Sequence, residues 1–200
     1  MIAHYWGFAR AYYVEDGRPT SEQGSIKSAL RPLKQLYGNV RACDFGPLAL
    51  KAVRKRTIGL GFCRNTINVH MGRIRRMFKW AVAEQVVSPT VYRALAAVLG
   101  LQRGRSEARE TTRVTPIDEA TVEVTLAHLP TVVSDMVRFQ RLTGCRPGEV
   151  CILRPSDVDA AAEVWAWRPH SHKAQHHGRE RVILIGPRAQ KNSASVPERE

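Results

Sequence analysis

Apolar residues recur along the first half of the chain at steps of three and four, the spacing of helices with one buried face. "AHYWGFARAYYV" predicts an opening amphipathic helix, and "EDGRPTSE" a turn with Thr20 or Ser21 as N-cap of the next. In "EQGSIKSALRPLKQLYG", Ile26, Leu30, Leu33 and Leu36 or Tyr37 share a face; Pro32 is a candidate kink and Gly38 a stop. "FGPLALKAVRKRT" predicts a third helix with Pro47 in its first turn. The fourth, "NTINVHMGRIRRMFKWAVAEQ", places Ile67, Met71, Ile74, Phe78 and Ala81 in one apolar stripe, with Asn65 as a candidate cap. "PTVYRALAAVL" predicts a fifth.

The periodicity then lapses. "GLQRGRSEARETTRVTP" has no apolar rhythm and reads as a basic linker. Beyond it, "IDEATVEVTLAHL" and "VVSDMVRFQRLT" predict two helices, and "PGEVCILRPSDVD" starts a short third. "EVWAWRP" and "RERVILIG" read as two strands joined by "HSHKAQHHG". The boundaries expected are residues 1–100, a linker at 101–115, a second module at 116–190 and a divergent polar tail at 191–200.

Charge sharpens this division. Residues 1–113 hold 20 Lys and Arg against 7 Asp and Glu, whereas residues 114–200 hold 11 of each, so the net +13 belongs to the first part. Segregated positive charge predicts a polyanion held mainly by one module. Lys51, Arg54 and Lys55 share a helix face, and Arg64, Arg75 and Lys79 lie on one side of the fourth helix, beside Arg73 and Arg76. With Arg103 and Arg105 of the linker, these are the candidate contacts to duplex-DNA phosphates; a solvated helix surface is the alternative for each cluster alone. No apolar run is long enough to span a bilayer, and the N-terminus lacks a secretory pattern. The four cysteines read as buried, reduced thiols of a cytosolic protein. The expected location is cytoplasmic and nucleoid-associated.

The candidate chemistry lies in "TGCRPGEV". Gly144 ends one helix and Pro147 suits the first position of the next, so Arg146 stands where backbone N–H groups favour an anion. Glu149, one turn on, is close enough to orient it. On spacing alone, a phosphate-binding arginine and an ordinary inter-helix Arg–Glu pair are equally good readings. Lys173 lies between the two strands among His170, His172, His176 and His177. Those histidines lack a complete ligand spacing, so neither a metal nor any other cofactor is expected.

Together these stretches resemble the tyrosine recombinases, the phage-integrase family, over nearly all of residues 5–190, and in particular the bacterial chromosomal integrases with an "HK" hairpin. "NTINVHMGRIRRMFKWAVAEQVV" is similar to the fourth helix of the family's core-binding domain, "LTGCRPGEVCILRPSDVD" to its first catalytic box and "HKAQHHGRERVILIGPRAQ" to its β-hairpin. The resemblance implies a mainly α chain: a helical, SAM-like core-binding domain, then the N-terminal part of an α+β catalytic domain. It implies a clamp on double-stranded DNA, with other recombinase protomers as further partners, in a bacterial mobile element. Arg146 would match the arginine that holds the scissile phosphate, Glu149 the acidic residue supporting it, and Lys173 the lysine that protonates the leaving 5′ oxygen.

The family's reaction also uses a nucleophilic tyrosine and an H-x-x-R box. Here no tyrosine follows Tyr92 and no histidine follows His177. The expectation is therefore a truncated, catalytically incomplete member, inactive alone. The competing readings are a basic helical DNA-binding regulator and, more weakly, a histidine-dependent metallohydrolase.

Overall fold

A computed structural model of the chain describes residues 1–172, 178 and 180–193, with the backbone alone for 192 and 193. The described residues fall into two compact units, Met1–Val114 and Thr115–Glu200.

The first unit is built around its longest helix. Helices α1 (Ile2–Tyr12), α2 (Ser21–Tyr37), α3 (Pro47–Gly59) and α5 (Pro89–Ala96) all pack on α4 (Arg64–Ala83). All five residues of the expected α4 stripe are buried, and Met77 and His70 join them. They meet Ile26, Leu30 and Leu33 of α2, Leu50 and Val53 of α3, and Leu95 of α5. Phe78 also stacks on Phe45, with centroids 5.1 Å apart. Burying each such large side chain contributes about 1.5–3 kcal/mol. Helix α2 runs from Ser21 to Tyr37 without a break at Pro32, which is itself buried. The segment read as a simple turn is a small hairpin, β1 (Val14–Glu15) on β2 (Arg18–Pro19). Asp16 and Gly17 both take positive φ, 48° and 72°, as a tight two-residue hairpin turn requires.

Two local expectations differ from what forms around α4. The cap is Cys63, not Asn65, which lies inside the first turn. The reason lies in residues 101–110, expected to be linker, which pack along this unit. The Arg64 N–H donates to the Arg109 carbonyl at 2.9 Å, and Cys63 bridges Arg109, so a strand-like contact replaces the side-chain cap. Asn68 clasps the Leu101 backbone, accepting its N–H at 2.7 Å and donating to its carbonyl at 3.0 Å. Gly100 permits this approach, since a Cβ there would lie 3.2 Å from Asn68 Oδ1.

In the second unit, α6 (Glu119–Leu126) is capped by Asp118, which accepts the Thr121 N–H at 2.8 Å. Helix α7 (Thr131–Thr143) follows, then a single turn, α8 (Pro147–Val150). The two expected strands form, as β4 (Trp165–Trp167) and β5 (Ile183–Ile185). A third was not expected: β3 (Val158–Asp159) pairs with β4, giving an antiparallel sheet in the order β3-β4-β5. Two residues are too few for an alternation to register in sequence. Helix α9 (Pro187–Ser193) carries regular structure into the start of the stretch read as a polar tail. Trp167 is completely buried among Phe139, Cys145, Val150, Ile183, Ile185 and Ala189. The thiols are free as expected, but Cys43 and Cys151 are exposed, not buried. Among the described residues, no helix is long and apolar enough to cross a membrane.

Candidate phosphate site and nucleic-acid interface

The setting of Arg146 is local and specific. Helix α7 ends at Gly144, whose φ of 66° and ψ of 19° are left-handed and suit glycine. The Thr143 hydroxyl donates to the Phe139 carbonyl at 2.8 Å, and Cys145 anchors the turn in the core. Arg146 is extended (φ −76°, ψ 152°), as the residue before a proline prefers, and Pro147 opens α8. Glu149, on that turn, is 4% exposed and reaches back to accept the Arg146 backbone N–H at 2.8 Å. Its other oxygen takes the Arg146 guanidinium, through Nη1, at 2.6 Å.

A third donor was missed by sequence reasoning. Arg181, just before β5, donates through Nη2 to Glu149 Oε2 at 3.1 Å. The only signal was its place in "RERVILI", beside the apolar strand. Burial pushes the Glu149 carboxyl up, but the hydrogen bonds from the Arg146 N–H and the two guanidiniums outweigh it and hold it below the ordinary carboxylate range. Glu149 is thus a buried anion, and the Arg146 side chain stays half exposed. The Arg–Glu pair of the second sequence reading is present, and it leaves half of the Arg146 side chain exposed.

Lys173, His176 and His177 lie outside the described residues. His170 Nδ1 lies 3.0 Å from Asp157 Oδ2. With His172, Arg168 and Arg181 it lines a cavity of about 330 Å³. Among the described residues, no three His, Cys, Asp or Glu side chains come together as a metal site.

The basic residues of the first unit divide into two sets. Arg73 donates to Glu22 through both Nε (2.9 Å) and Nη2 (2.6 Å), and Arg76 pairs with the same carboxylate. Those donors, Arg73 first, hold the Glu22 carboxyl below its usual range. Arg76 also lies over the Tyr13 ring. Arg64 pairs with Glu110 at 2.7 Å. Arg54 and Arg75 donate to the Leu99 and Val98 carbonyls, at 2.9 and 3.2 Å, just beyond the end of α5. Lys51, Lys55, Lys79, Arg103 and Arg105 are exposed. Among the described residues the three lysines enter no ion pair. Of the expected phosphate contacts, Lys51, Lys55, Lys79 and Arg105 enter no ion pair among the described residues, and the charge of Arg103 acts on Glu110.

No protein-family model matches the chain, and no curated protein sequence does. Solved structures do match its fold. A lambda integrase dimer bound to a COC′ core site superposes with a TM-score of 0.69 at 13% identity, over 96% of this chain and 63% of that one. The integrase of transposon Tn1549, in complex with circular intermediate DNA, gives 0.66 at 16% identity, over 100% of this chain and 65% of that one. Another complex of that integrase gives 0.70, again at 16%. The chain spans slightly under two thirds of the length of these structures and has the tyrosine-recombinase fold.

Proposed function

We propose that the chain binds double-stranded DNA and carries part of the phosphate site of a site-specific recombinase of the tyrosine type. The observation that carries this reading is Arg146: its guanidinium meets a buried carboxylate through Nη1, and half of its side chain is exposed. A planar fork of that kind suits a phosphate. The resemblance to DNA-bound integrases supports the same reading. In it, the exposed Lys51, Lys55, Lys79, Arg103 and Arg105 meet backbone phosphates, and the first unit supplies most of the attraction. Arg54, Arg64, Arg73, Arg75 and Arg76 shape the surface that carries them. Arg146 grips the phosphate to be broken, Glu149 holds Arg146, and Lys173 protonates the leaving 5′ oxygen. Other protomers on the same DNA are the further partners.

The covalent step needs a tyrosine after the hairpin, and these 200 residues contain none beyond Tyr92. Tyr5 is buried in the first core, whereas Tyr12 is 66% exposed. The test is a nicked suicide duplex incubated with the 200-residue chain. Salt-sensitive binding without a protein–DNA adduct on a denaturing gel is expected. An adduct lost on Tyr12→Phe, or no binding at low salt, overturns the reading.

A further inference from the structure

We infer that Arg181 is a positioning residue that keeps Arg146 available to an anion, acting through the buried Glu149; this rests on the reading above. The argument begins with charge. One arginine and one carboxylate sum to zero, so a lone Arg146–Glu149 pair presents little net field to a phosphate. Arg181 comes from 32 residues further along the chain and restores a net charge of +1 to the cluster. Geometry adds a second effect. Arginine and carboxylate prefer to close two parallel hydrogen bonds. Glu149 Oε2 is already occupied by the Arg146 backbone N–H at 2.8 Å and by Arg181 Nη2 at 3.1 Å. The Arg146 guanidinium therefore keeps one contact, Nη1 to Oε1 at 2.6 Å, and its side chain remains 50% exposed. The Arg181 side chain is itself 30% exposed, against that 50%, and its recorded bond goes to Glu149. It also precedes β5, so it couples the placement of the sheet to the turn that carries Arg146.

The test uses the full 200-residue chain. Nitrogen-15 NMR of the arginine side chains reads Arg146 directly, without DNA. In Arg181→Gln, the position that Arg181 vacates on Oε2, beside the retained Arg146 N–H, is expected to draw in a second Arg146 donor, slowing rotation and hydrogen exchange of that guanidinium. Unchanged Arg146 signals in a folded Arg181→Gln protein overturn the inference. Duplex binding at 0.1 M salt is the second arm. Arg181→Gln is expected to weaken it about eightfold, the counterion release of one phosphate contact, and to cost clearly less in an Arg146→Gln background, where only its field remains. An equal loss in both backgrounds means that Arg181 meets the DNA itself, which also overturns the inference. Arg181→Lys keeps the charge and is expected to bind as the parent does, and loss of affinity there counts against the charge argument. If Arg146→Gln binds DNA like the parent while the NMR response occurs, the functional reading fails and the link from Arg181 to Arg146 stands.

Discussion

Net charge and the placement of arginine diverge in the two units. In the first, net charge is high, yet the α4 arginines are turned onto protein partners: Arg73 and Arg76 onto Glu22, Arg64 onto Glu110, Arg75 onto a carbonyl. In the second, net charge is zero and Arg138, Arg141 and Arg181 are likewise paired with carboxylates, while Arg146 meets Glu149 and keeps half of its side chain exposed. Net charge therefore describes the long-range field of a module, and a site is decided by which donors the fold leaves unused. An arginine reads alike in sequence whether or not the fold takes up its donors. A carboxylate 51 residues away, like Glu22 from Arg73, separates the two cases.

The largest expected effects come from the two cores. Trp167→Ala and Phe78→Ala each empty a fully buried site and are expected to cost about 3–5 kcal/mol. Because the units have separate cores, each change should act on its own side. Hydrogen exchange should show lost protection within residues 115–193 for Trp167→Ala and within 1–114 for Phe78→Ala. Loss across both for either variant would break the comparison at its root.

Next comes Glu22→Ala, which leaves Arg73 and Arg76 facing each other. Hydrogen bonds to charged groups contribute about 1.5–3 kcal/mol, and a loss of about 2 kcal/mol is expected in urea unfolding followed by circular dichroism. The matching change on the open set, Lys51→Glu with Lys55→Glu, should leave stability within about 0.5 kcal/mol. It should also weaken binding to all duplex sequences alike and flatten the salt dependence by about one contact per residue. If instead the Glu22 variant alone alters DNA affinity, the division into structural and open cations fails.

Much of this was legible in sequence, for reasons that particular residues make plain. The α4 stripe was visible because burial repeats every turn, and all five of its members are buried. The turn that carries Arg146 was visible because Gly144 and Pro147 fix chain direction through φ alone, a local property. The β3 strand was hidden because two residues carry no period. Arg181 was hidden because its partner is 32 positions away. The Cys63 cap was hidden for the same reason: the carbonyl that satisfies Arg64 belongs to Arg109. Residues 101–110 carry no apolar rhythm because backbone and polar contacts hold them, with Ala108 as a small buried anchor.

A smaller effect should separate the units by pH. Burial, then the charge of Arg73, lowers the His70 pKa. The unfolded imidazole titrates near 6.5. Below that value the unfolded chain binds the proton more readily, so stability is lost as pH falls from about 6.5 through the folded value. Glu149 is also depressed, so its contribution is complete above the unfolded glutamate value of about 4.3 and is lost only as pH falls further. The first unit should therefore weaken between pH 7 and 5 while the second holds. Unit-resolved hydrogen exchange at pH 7 and 5.5 reads this, and His70→Gln should remove the difference.

The smallest expected effect sharpens the comparison most finely. The Arg64–Glu110 pair has side chains 18% and 33% exposed, so it is partly screened. The Arg64 and Arg76 carboxylate contacts look alike in a list of ion pairs but differ in what depends on them. Glu22 joins two helices of the core, whereas Glu110 closes a segment already fastened by Asn68 on Leu101 and by the Arg64 N–H on Arg109. Glu110→Gln should therefore leave global stability almost unchanged, as expected of an exposed pair. Its local effect should be larger than its global one, because the segment can detach without unfolding the helices. Amides at 101–110 should exchange faster, and those of α4 should not. The same release would free Arg64 to join the already exposed Arg103 and Arg105 at phosphate. Glu110→Gln is accordingly expected to raise DNA affinity at low salt by a few-fold, roughly the gain of one positive charge. Unchanged affinity with faster exchange would show that Arg64, even when freed, does not face the DNA.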